Sequence, residues 1–247
     1  MTALPAELDE ALAAVAARRP LLVASDYDGV LARLRDEPSA AVPEPGVAEV
    51  LARLAAVDGV TVALVSGRGV ADLRTTSGLT GPYRWVGSHG AEFDGPLTGE
   101  LAARRDDLAR RLEPVVADVE GAWLEVKPAS VAVHVRLVED RASAAAVLER
   151  ARGEADSSLT LKPGKDVLEL AVTDADKGSA LLRLVAELDA AGTVYLGDDV
   201  TDEDAFRALG PGDVTVKIGD GATAARHRVT DPAGAVAVLG RLAELLG

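Results

Sequence analysis

Short apolar runs alternate with amphipathic stretches over most of this chain, and no other feature of the sequence constrains the fold as much. The runs suited to buried strands are 20–25, 60–65, 83–86, 193–196 and 214–218. Helical spacing lies between them, and at 46–57 it places four apolar residues on one face: Val47, Val50, Leu51 and Leu54. Strands that alternate with helices of about ten or more residues predict a parallel sheet covered on both faces.

The middle of the chain follows a different pattern. Polar and apolar residues alternate there in three strand candidates, 123–127, 131–136 and 165–170. Helical stretches at 97–117 and 141–152 lie before and among these strands. Alternation of this kind is typical of an antiparallel sheet with one open face.

The two patterns together predict an α/β fold with two domains. We expect a Rossmann-like core with a parallel sheet, formed by residues 1–97 and 174–247. Residues 98–173 are expected to form an inserted α+β domain that carries the antiparallel sheet. Ligands of an open α/β core bind at the carboxyl ends of its strands, so the functional residues are sought there.

Composition excludes several classes of function. The 247 residues carry a net charge of −14, whereas a protein that binds nucleic acid needs a basic surface. Cysteine is absent, which excludes a thiol nucleophile and Cys-ligated zinc. Acidic residues near the start stand where a secretion signal is apolar, and no apolar run approaches the roughly 20 residues of a membrane span. We therefore expect a cytoplasmic protein that binds neither nucleic acid nor membranes, and we expect a monomer.

The first predicted strand ends at two carboxylates, Asp26 and Asp28. Side chains two residues apart after a buried strand can both point into a crevice. One can then serve as a nucleophile and the other as a general acid and base. An ordinary turn explains the Asp-x-Asp-Gly pattern equally well on its own, because Asp and Gly are common turn residues.

Ser66, Gly67 and Lys177 also stand at element boundaries. A hydroxyl and free backbone N–H groups at a helix start suit a phosphate oxygen, although a simple helix cap accounts for Ser66 alone. Lys177 follows a possible cap, Asp176, and a cation in the first turn of a helix opposes the helix dipole. That placement favours a functional role, whereas most lysines are simply solvated.

Two adjacent acids, Asp198 and Asp199, follow the run 193–196. Like charges packed together at low dielectric need a counterion, and Mg²⁺ with oxygen ligands is the natural one. A capping box explains Thr201 and Asp204 but leaves the two adjacent acids unexplained.

These clusters together provide a carboxylate nucleophile, a second carboxylate, a hydroxyl, a lysine and an acid pair suited to a metal. The combination predicts phosphoryl transfer through an aspartyl phosphate, in which Mg²⁺ and the lysine neutralise the transferred group. A nucleotide-binding oxidoreductase is not supported, because no G-x-G-x-x-G follows the first strand.

The order and spacing of the motifs resemble the haloacid dehalogenase superfamily and, within it, the trehalose-6-phosphate phosphatase family. The resembling segments are DYDGVLA (26–32), SGR (66–68), GSHGAE (87–92), LEVKPASVAVHVR (124–136), GKDVLEL (164–170), DKG (176–178) and GDDVTDEDAF (197–206). The last segment, combined with the E-x-K-x-x-S-x-x-x-H-x-R pattern, is highly specific. Val30 stands where such phosphatases most often have Thr, and a backbone N–H at that position can still hold phosphate.

The resemblance implies roles for the residues of the core. Asp26 resembles the nucleophile, and Asp28 resembles the acid and base. The implied Mg²⁺ ligands are Asp26, the backbone carbonyl of Asp28, and Asp198. The groups implied to support those ligands are Asp199 and Asp202, and those implied to hold the phosphate are Ser66, Gly67 and Lys177.

The resemblance also implies that 98–173 is a cap domain that recognises a sugar phosphate. Five of its residues match sugar-contacting positions of the family: Glu125, Lys127, Arg136, Lys165 and Glu169. The period of two places these residues in pairs on strand faces, Glu125 with Lys127, His134 with Arg136, and Lys165 with Glu169. An ordinary solvated sheet face is the alternative for any one pair.

The substrate that the resemblance implies is trehalose 6-phosphate. Other capped sugar phosphatases, acting on sucrose phosphate or mannosyl phosphoglycerate, remain alternatives, as does a catalytically weak regulatory domain. The sequence assigns no role to His89, Glu92 or His134.

Overall fold

The computed structural model describes residues 4–247, so residues 1–3 of the predicted core lie outside it. The chain divides into two compact units. The chain up to Gly95, together with Ala175–Gly247, forms the first unit, and Pro96–Asp174 forms the second. No helix within residues 4–247 is both long enough and apolar enough to cross a membrane.

Eleven strands and eight helices are formed by residues 4–247, and both are numbered along the chain. The strands are β1 (Leu21–Ser25), β2 (Val60–Val65), β3 (Arg84–Gly87), β4 (Glu92–Phe93), β5 (Trp123–Lys127), β6 (Ser130–His134), β7 (Thr160–Gly164), β8 (Val167–Ala171), β9 (Gly192–Gly197), β10 (Val214–Ile218) and β11 (His227–Val229). The helices are α1 (Ala6–Ala16), α2 (Val47–Ala55), α3 (Val70–Ser77), α4 (Gly99–Val116), α5 (Arg141–Gly153), α6 (Lys177–Leu188), α7 (Asp202–Ala208) and α8 (Pro232–Leu246).

The first unit is built on a seven-stranded sheet with the order β11-β10-β9-β1-β2-β3-β4. Every neighbouring pair is parallel except β3 with β4. The central strand is β1, where Leu21 pairs with Val60 on one side and with Gly192 on the other. All five residues of β1 are buried. The predicted parallel sheet is therefore confirmed.

Helices cover both faces of this sheet. On one face, Leu12 of α1 and Leu51 of α2 share an apolar cluster with Val23 of β1. On the other face, Leu22 of β1 packs in a cluster that includes Phe206 of α7. Each fully buried side chain of this size contributes roughly 1.5–3 kcal/mol to folding. Burial on both faces fixes the register, so the carboxyl ends of the strands stay aligned.

The second unit is built on a four-stranded antiparallel sheet with the order β5-β6-β8-β7. Leu108 and Leu112 of α4 and Val147 of α5 form its core with Val131 and Leu168 of the sheet. The alternate strand residues, which include Glu125, Lys127, Ser130 and Glu169, point to the opposite side, which we call the polar face. The predicted α+β arrangement with an antiparallel sheet is thus observed.

Two residues expected on strand faces lie in turns instead. A turn at Lys165 and Asp166 joins β7 to β8, and Asp166 adopts a left-handed conformation with φ of 58°, which Asp tolerates well. The strand prediction for 165–170 is therefore wrong at its start, and Lys165 does not share a strand face with Glu169. Arg136 lies in the turn after β6, so its predicted strand position is also wrong.

Candidate active site

Polar residues follow three adjacent strands at the same edge of the seven-stranded sheet. Ser25, the last residue of β1, pairs with Leu64 of β2 and Leu196 of β9. The next residues along these strands include Asp26 and Ser66, which are buried. They line a cleft of about 590 Å³ within the first unit.

Lys177 connects two acidic residues at the bottom of this cleft. Its Nζ donates to Asp26 Oδ2 at 2.6 Å and to Asp202 Oδ1 at 2.8 Å. The side chain of Lys177 is only 2% exposed, so its charge is balanced by these carboxylates rather than by water. A capping box between Asp176 and Ser179 begins α6, as expected for Asp176, and places Lys177 in the first turn.

Asp202 accepts hydrogen bonds on both carboxylate oxygens. Oδ1 accepts from Lys177 and from the hydroxyl of Tyr195, the latter at 2.6 Å. Oδ2 accepts from the backbone N–H groups of Asp198 and Asp199, each at 2.9 Å. The side chain of Thr201 makes no capping hydrogen bond, so the capping-box interpretation of this segment is wrong. Asp202 instead fixes the turn that carries the two adjacent acids.

Asp28 is held by a guanidinium group. Arg68 Nε donates to Asp28 Oδ2 at 2.7 Å, and Arg68 Nη2 donates to Asp28 Oδ1 at 2.8 Å. Arg68 also donates to Asp72 and to the carbonyl of Pro38. A bidentate pair of this kind fixes the plane of the carboxylate as well as its position.

The charges of the cleft fit a divalent cation. Oxygens of Asp26, Asp198 and Asp202 lie within 4.8 Å of one another. Burial raises the pKa of Asp198 to about 6, and the carboxylate of Asp202 adds to this effect. Burial also raises the pKa of Asp26, although Lys177 opposes that shift. A cation would relieve this repulsion, and the carboxylate oxygens of Asp26 and Asp198 are suitable ligands for it.

Gly29 allows the carboxylate of Asp198 to approach the first motif. A Cβ at Gly29 would lie 1.9 Å from Asp198 Oδ2, and the φ of this glycine is 75°. Only glycine combines that conformation with such a close approach. The Asp-x-Asp-Gly segment is therefore shaped around the second acidic motif, which an ordinary turn does not require.

Ser66 and Gly67 also line the cleft. Ser66 Oγ accepts from the N–H of Arg68 at 3.2 Å, whereas α3 begins later, with Gly69 as its cap. Ser66 therefore does not cap the helix, and that interpretation is wrong. A Cβ at Gly67 would lie 2.6 Å from His89 Cε1, so the imidazole ring packs directly on this backbone.

Glu92 braces the segment that carries His89. Its Oε2 accepts from the N–H of Val70 at 3.1 Å and from the hydroxyl of Ser88 at 2.8 Å. Ser88 and His89 both have positive φ, of 50° and 57°. Glu92, which is buried, thus caps α3 and holds a strained turn against the cleft.

Comparison with known proteins places the chain in a family. A family model described as trehalose-phosphatase matches residues 24–232. This chain belongs to the trehalose-phosphatase family. It is 38% identical over 241 residues to the trehalose-phosphate phosphatase of Mycobacterium marinum, a match that covers 90% of this chain and 61% of that protein. It is also 38% identical to the Mycobacterium avium protein of the same name, covering 94% and 64%.

A solved structure shows the same fold as this family member. It is a trehalose-6-phosphate phosphatase of Aspergillus fumigatus, with a TM-score of 0.75, 25% identity and coverage of 96% of this chain and 97% of that chain. The likeness agrees with the haloacid-dehalogenase-type fold class expected from the sequence. The chain spans about 61–64% of the length of the two mycobacterial relatives.

The polar face of this trehalose-phosphatase family member brings together three of the five residues expected to contact sugar. Lys127 Nζ donates to Glu169 Oε2 at 2.7 Å, and Ser130 Oγ donates to Glu169 Oε1 at 2.8 Å. Glu125 Oε2 lies 2.8 Å from His134 Nε2. The residues that the structure leaves off this strand face are Arg136 and Lys165.

Several residues of the sites escaped the sequence analysis. Arg68 was part of a recognised motif, yet nothing local indicates its pairing with Asp28, 40 residues away. In the sequence, nothing distinguishes Tyr195 from the other residues of the apolar run 193–196, which predicts a buried strand. Of these three residues, Lys217 alone could have been noticed in the sequence, because it is a cation inside the apolar run 214–218. It donates to the backbone carbonyl of Asp198.

Proposed function

We propose that this chain is a Mg²⁺-dependent phosphatase that hydrolyses trehalose 6-phosphate to trehalose and phosphate through an aspartyl phosphate. The observation that carries the proposal is the contact between Asp26 and the buried ammonium of Lys177, beside the acids Asp198 and Asp202. A carboxylate nucleophile next to a buried cation suits phosphoryl transfer. Membership of the trehalose-phosphatase family supports the choice of substrate.

The proposal divides the work between the two domains expected from the sequence. The core, 1–97 and 174–247, would carry out the chemistry. The inserted domain, 98–173, would recognise the sugar. The separate acidic cleft of the first unit and polar face of the second support this division.

Asp26 and Asp28 perform the two chemical steps. An oxygen of Asp26 attacks phosphorus, and the bond between phosphorus and the sugar oxygen breaks while Asp28 donates a proton to that oxygen. Asp28 then accepts a proton from a water molecule whose oxygen attacks phosphorus and releases Asp26. Arg68 holds the Asp28 carboxylate in a fixed plane between these transfers.

The remaining groups hold the phosphate and organise the acids. Lys177, the hydroxyl of Ser66 and the N–H of Gly67 donate to phosphate oxygens. Mg²⁺ bound by Asp26, the carbonyl of Asp28, and Asp198 would supply positive charge to the transferred group. The positions of these ligands are supported by Asp199 and Asp202.

Phosphate release from a panel of sugar phosphates tests the proposal. We expect trehalose 6-phosphate to be the best substrate.

The same assay tests the metal requirement. Activity should disappear in EDTA and return with Mg²⁺, because the acid cluster needs a counterion. Ca²⁺ should inhibit, since its larger and looser shell holds the attack geometry poorly. Full activity of a metal-stripped sample would contradict the Mg²⁺ requirement. Faster hydrolysis of sucrose phosphate or mannosyl phosphoglycerate would overturn the substrate, and no activity at all would favour a regulatory domain.

The polar face should determine which sugar is accepted. We expect Lys127→Ala and Glu169→Ala each to lower kcat/KM for trehalose 6-phosphate by roughly 10- to 100-fold. Each substitution removes one charged hydrogen bond, which contributes about 1.5–3 kcal/mol. Hydrolysis of p-nitrophenyl phosphate should barely change, because that substrate has no sugar. Both substrates are measured on each variant.

Glu149→Ala is the matched control for these variants. Glu149 is an exposed acid on α5 of the same unit, where it pairs with Arg152 at 3.3 Å. It should leave both activities unchanged. Equal losses on the two substrates for Lys127→Ala or Glu169→Ala would assign these residues to folding or chemistry rather than to sugar recognition.

A further inference from the structure

A loop of the first unit, residues 33–41, borders the cleft, and we call it the cleft loop. Two hydrogen bonds fasten its second half. The carbonyl of Pro38 accepts from Arg68 Nη2, and the carbonyl of Ala41 accepts from the Tyr27 hydroxyl, each at 2.6 Å. Leu34 and Arg35, before these anchors, line the cleft directly, and the side chain of Leu34 is largely exposed.

Arg35 is the cleft cation whose charge is not already engaged. Of the cations that line the cleft, Lys177 bonds two carboxylates and Arg68 bonds Asp28 and Asp72. Within residues 4–247, Arg35 makes no ion pair or hydrogen bond through its side chain. Its guanidinium is therefore available to an anion that enters the cleft.

The overall negative charge of the protein means that an anionic substrate needs a local cation such as the Arg35 guanidinium to bind. The chain carries a net charge of −14, which repels a phosphate ester at long range. The acids that line the cleft add to this repulsion: Asp26, Asp28, Asp72, Asp198 and Asp199. A guanidinium suits phosphate because its donors match two phosphate oxygens at once.

We infer that Arg35 captures the phosphate group of the substrate at the mouth of the cleft and raises the rate of productive encounter. This inference rests on the proposed phosphatase function and adds a substrate-binding residue to it. Arg35 acts on entry, whereas Lys177, Ser66 and Gly67 hold the phosphate during the chemical steps. Its effect therefore belongs to kcat/KM rather than to kcat.

The test compares Arg35→Gln with Arg33→Gln. Arg33 lies in the same loop, but its guanidinium pairs with Glu44 at 2.9 Å and does not line the cleft. At low ionic strength we expect Arg35→Gln to lower kcat/KM for trehalose 6-phosphate by about tenfold, with kcat unchanged, and Arg35→Lys to retain most of it. The difference should shrink at high salt, where exposed charges are screened.

A binding measurement separates this inference from the proposed function. Calorimetric titration of the resting protein with inorganic phosphate, in the presence of Mg²⁺, should give a Kd about tenfold weaker for Arg35→Gln than for Arg33→Gln. If the protein hydrolysed no sugar phosphate, this titration alone would decide the role of Arg35. Equal phosphate binding by the two variants, or a loss of kcat/KM that salt does not diminish, would overturn the inference.

Discussion

Asp26→Asn is expected to abolish phosphate release from every substrate. The proposed covalent step needs a carboxylate at the end of β1, and an amide oxygen is a far weaker nucleophile. We expect the rate to fall by at least about 10⁴-fold, since removal of a covalent nucleophile carries costs of that order or larger. Phosphate release is measured at saturating trehalose 6-phosphate with Mg²⁺ present.

The folded state should persist but lose some stability. Both oxygens of Asp26 accept hydrogen bonds, Oδ2 from Lys177 and Oδ1 from the backbone N–H of Tyr27, whereas an amide has only one acceptor oxygen. The Tm should fall, but by less than for the loss of Lys177, because Lys177 keeps its hydrogen bond to Asp202. Asp58→Asn, at an exposed position, is the control and should retain full activity. Near-normal turnover by Asp26→Asn, with mass spectrometry showing no reversion to Asp, would rule out the aspartyl-phosphate mechanism.

Lys177→Met should remove activity and also destabilise the protein. The substitution leaves the carboxylates of Asp26 and Asp202, which are 7% and 0% exposed, without their shared cation. Breaking a buried ion pair on one side costs roughly 3–5 kcal/mol because the remaining charge is uncompensated. For a chain of this size that corresponds to a Tm lower by roughly 6–20 °C. Urea unfolding and calorimetry at neutral pH measure the effect.

Two further variants make this result specific. Arg207→Met removes a cation that is 62% exposed, and its free energy of unfolding should fall by no more than about 1 kcal/mol. Combining Lys177→Met with Asp202→Asn removes one of the uncompensated carboxylates and should recover part of the lost stability. A Lys177→Met protein as stable as the unmodified one would show that the buried charge cluster is not organised as described.

The sequence was most informative about strands whose burial is visible in the pattern of apolar residues. The runs at 20–25, 60–65 and 193–196 are apolar because the sheet is covered on both faces, so their strand identity could be predicted without tertiary information. β7 escaped prediction because Thr160–Gly164 contains a proline and a glycine, which are tolerated only since the strand lies at the sheet edge. The three-residue strand β11 is also at an edge and is too short to show a period.

Several members of the candidate site could be predicted, whereas Arg68, Tyr195 and the contacts between the side chains could not. Asp26, Ser66 and Lys177 could be singled out because each stands at the boundary of an element. The segment Thr201–Asp204 shows the limit of local patterns, since its spacing predicts a capping box. The carboxylate of Asp202 instead bonds Lys177, Tyr195 and two preceding N–H groups. Those partners are set by the sheet, which no window of sequence contains.

The position of β1 in the sheet has a consequence for how the protein is made. Its two neighbours come from distant parts of the chain, because β2 follows within 40 residues whereas Gly192 pairs with Leu21 only after the whole of Pro96–Asp174 has been synthesised. A nascent chain therefore exposes one edge of its central strand on the ribosome while the contiguous second unit already has every strand it needs. Lys177 also follows Pro96–Asp174 in the chain, so the cleft lacks its buried cation until the second unit has been synthesised.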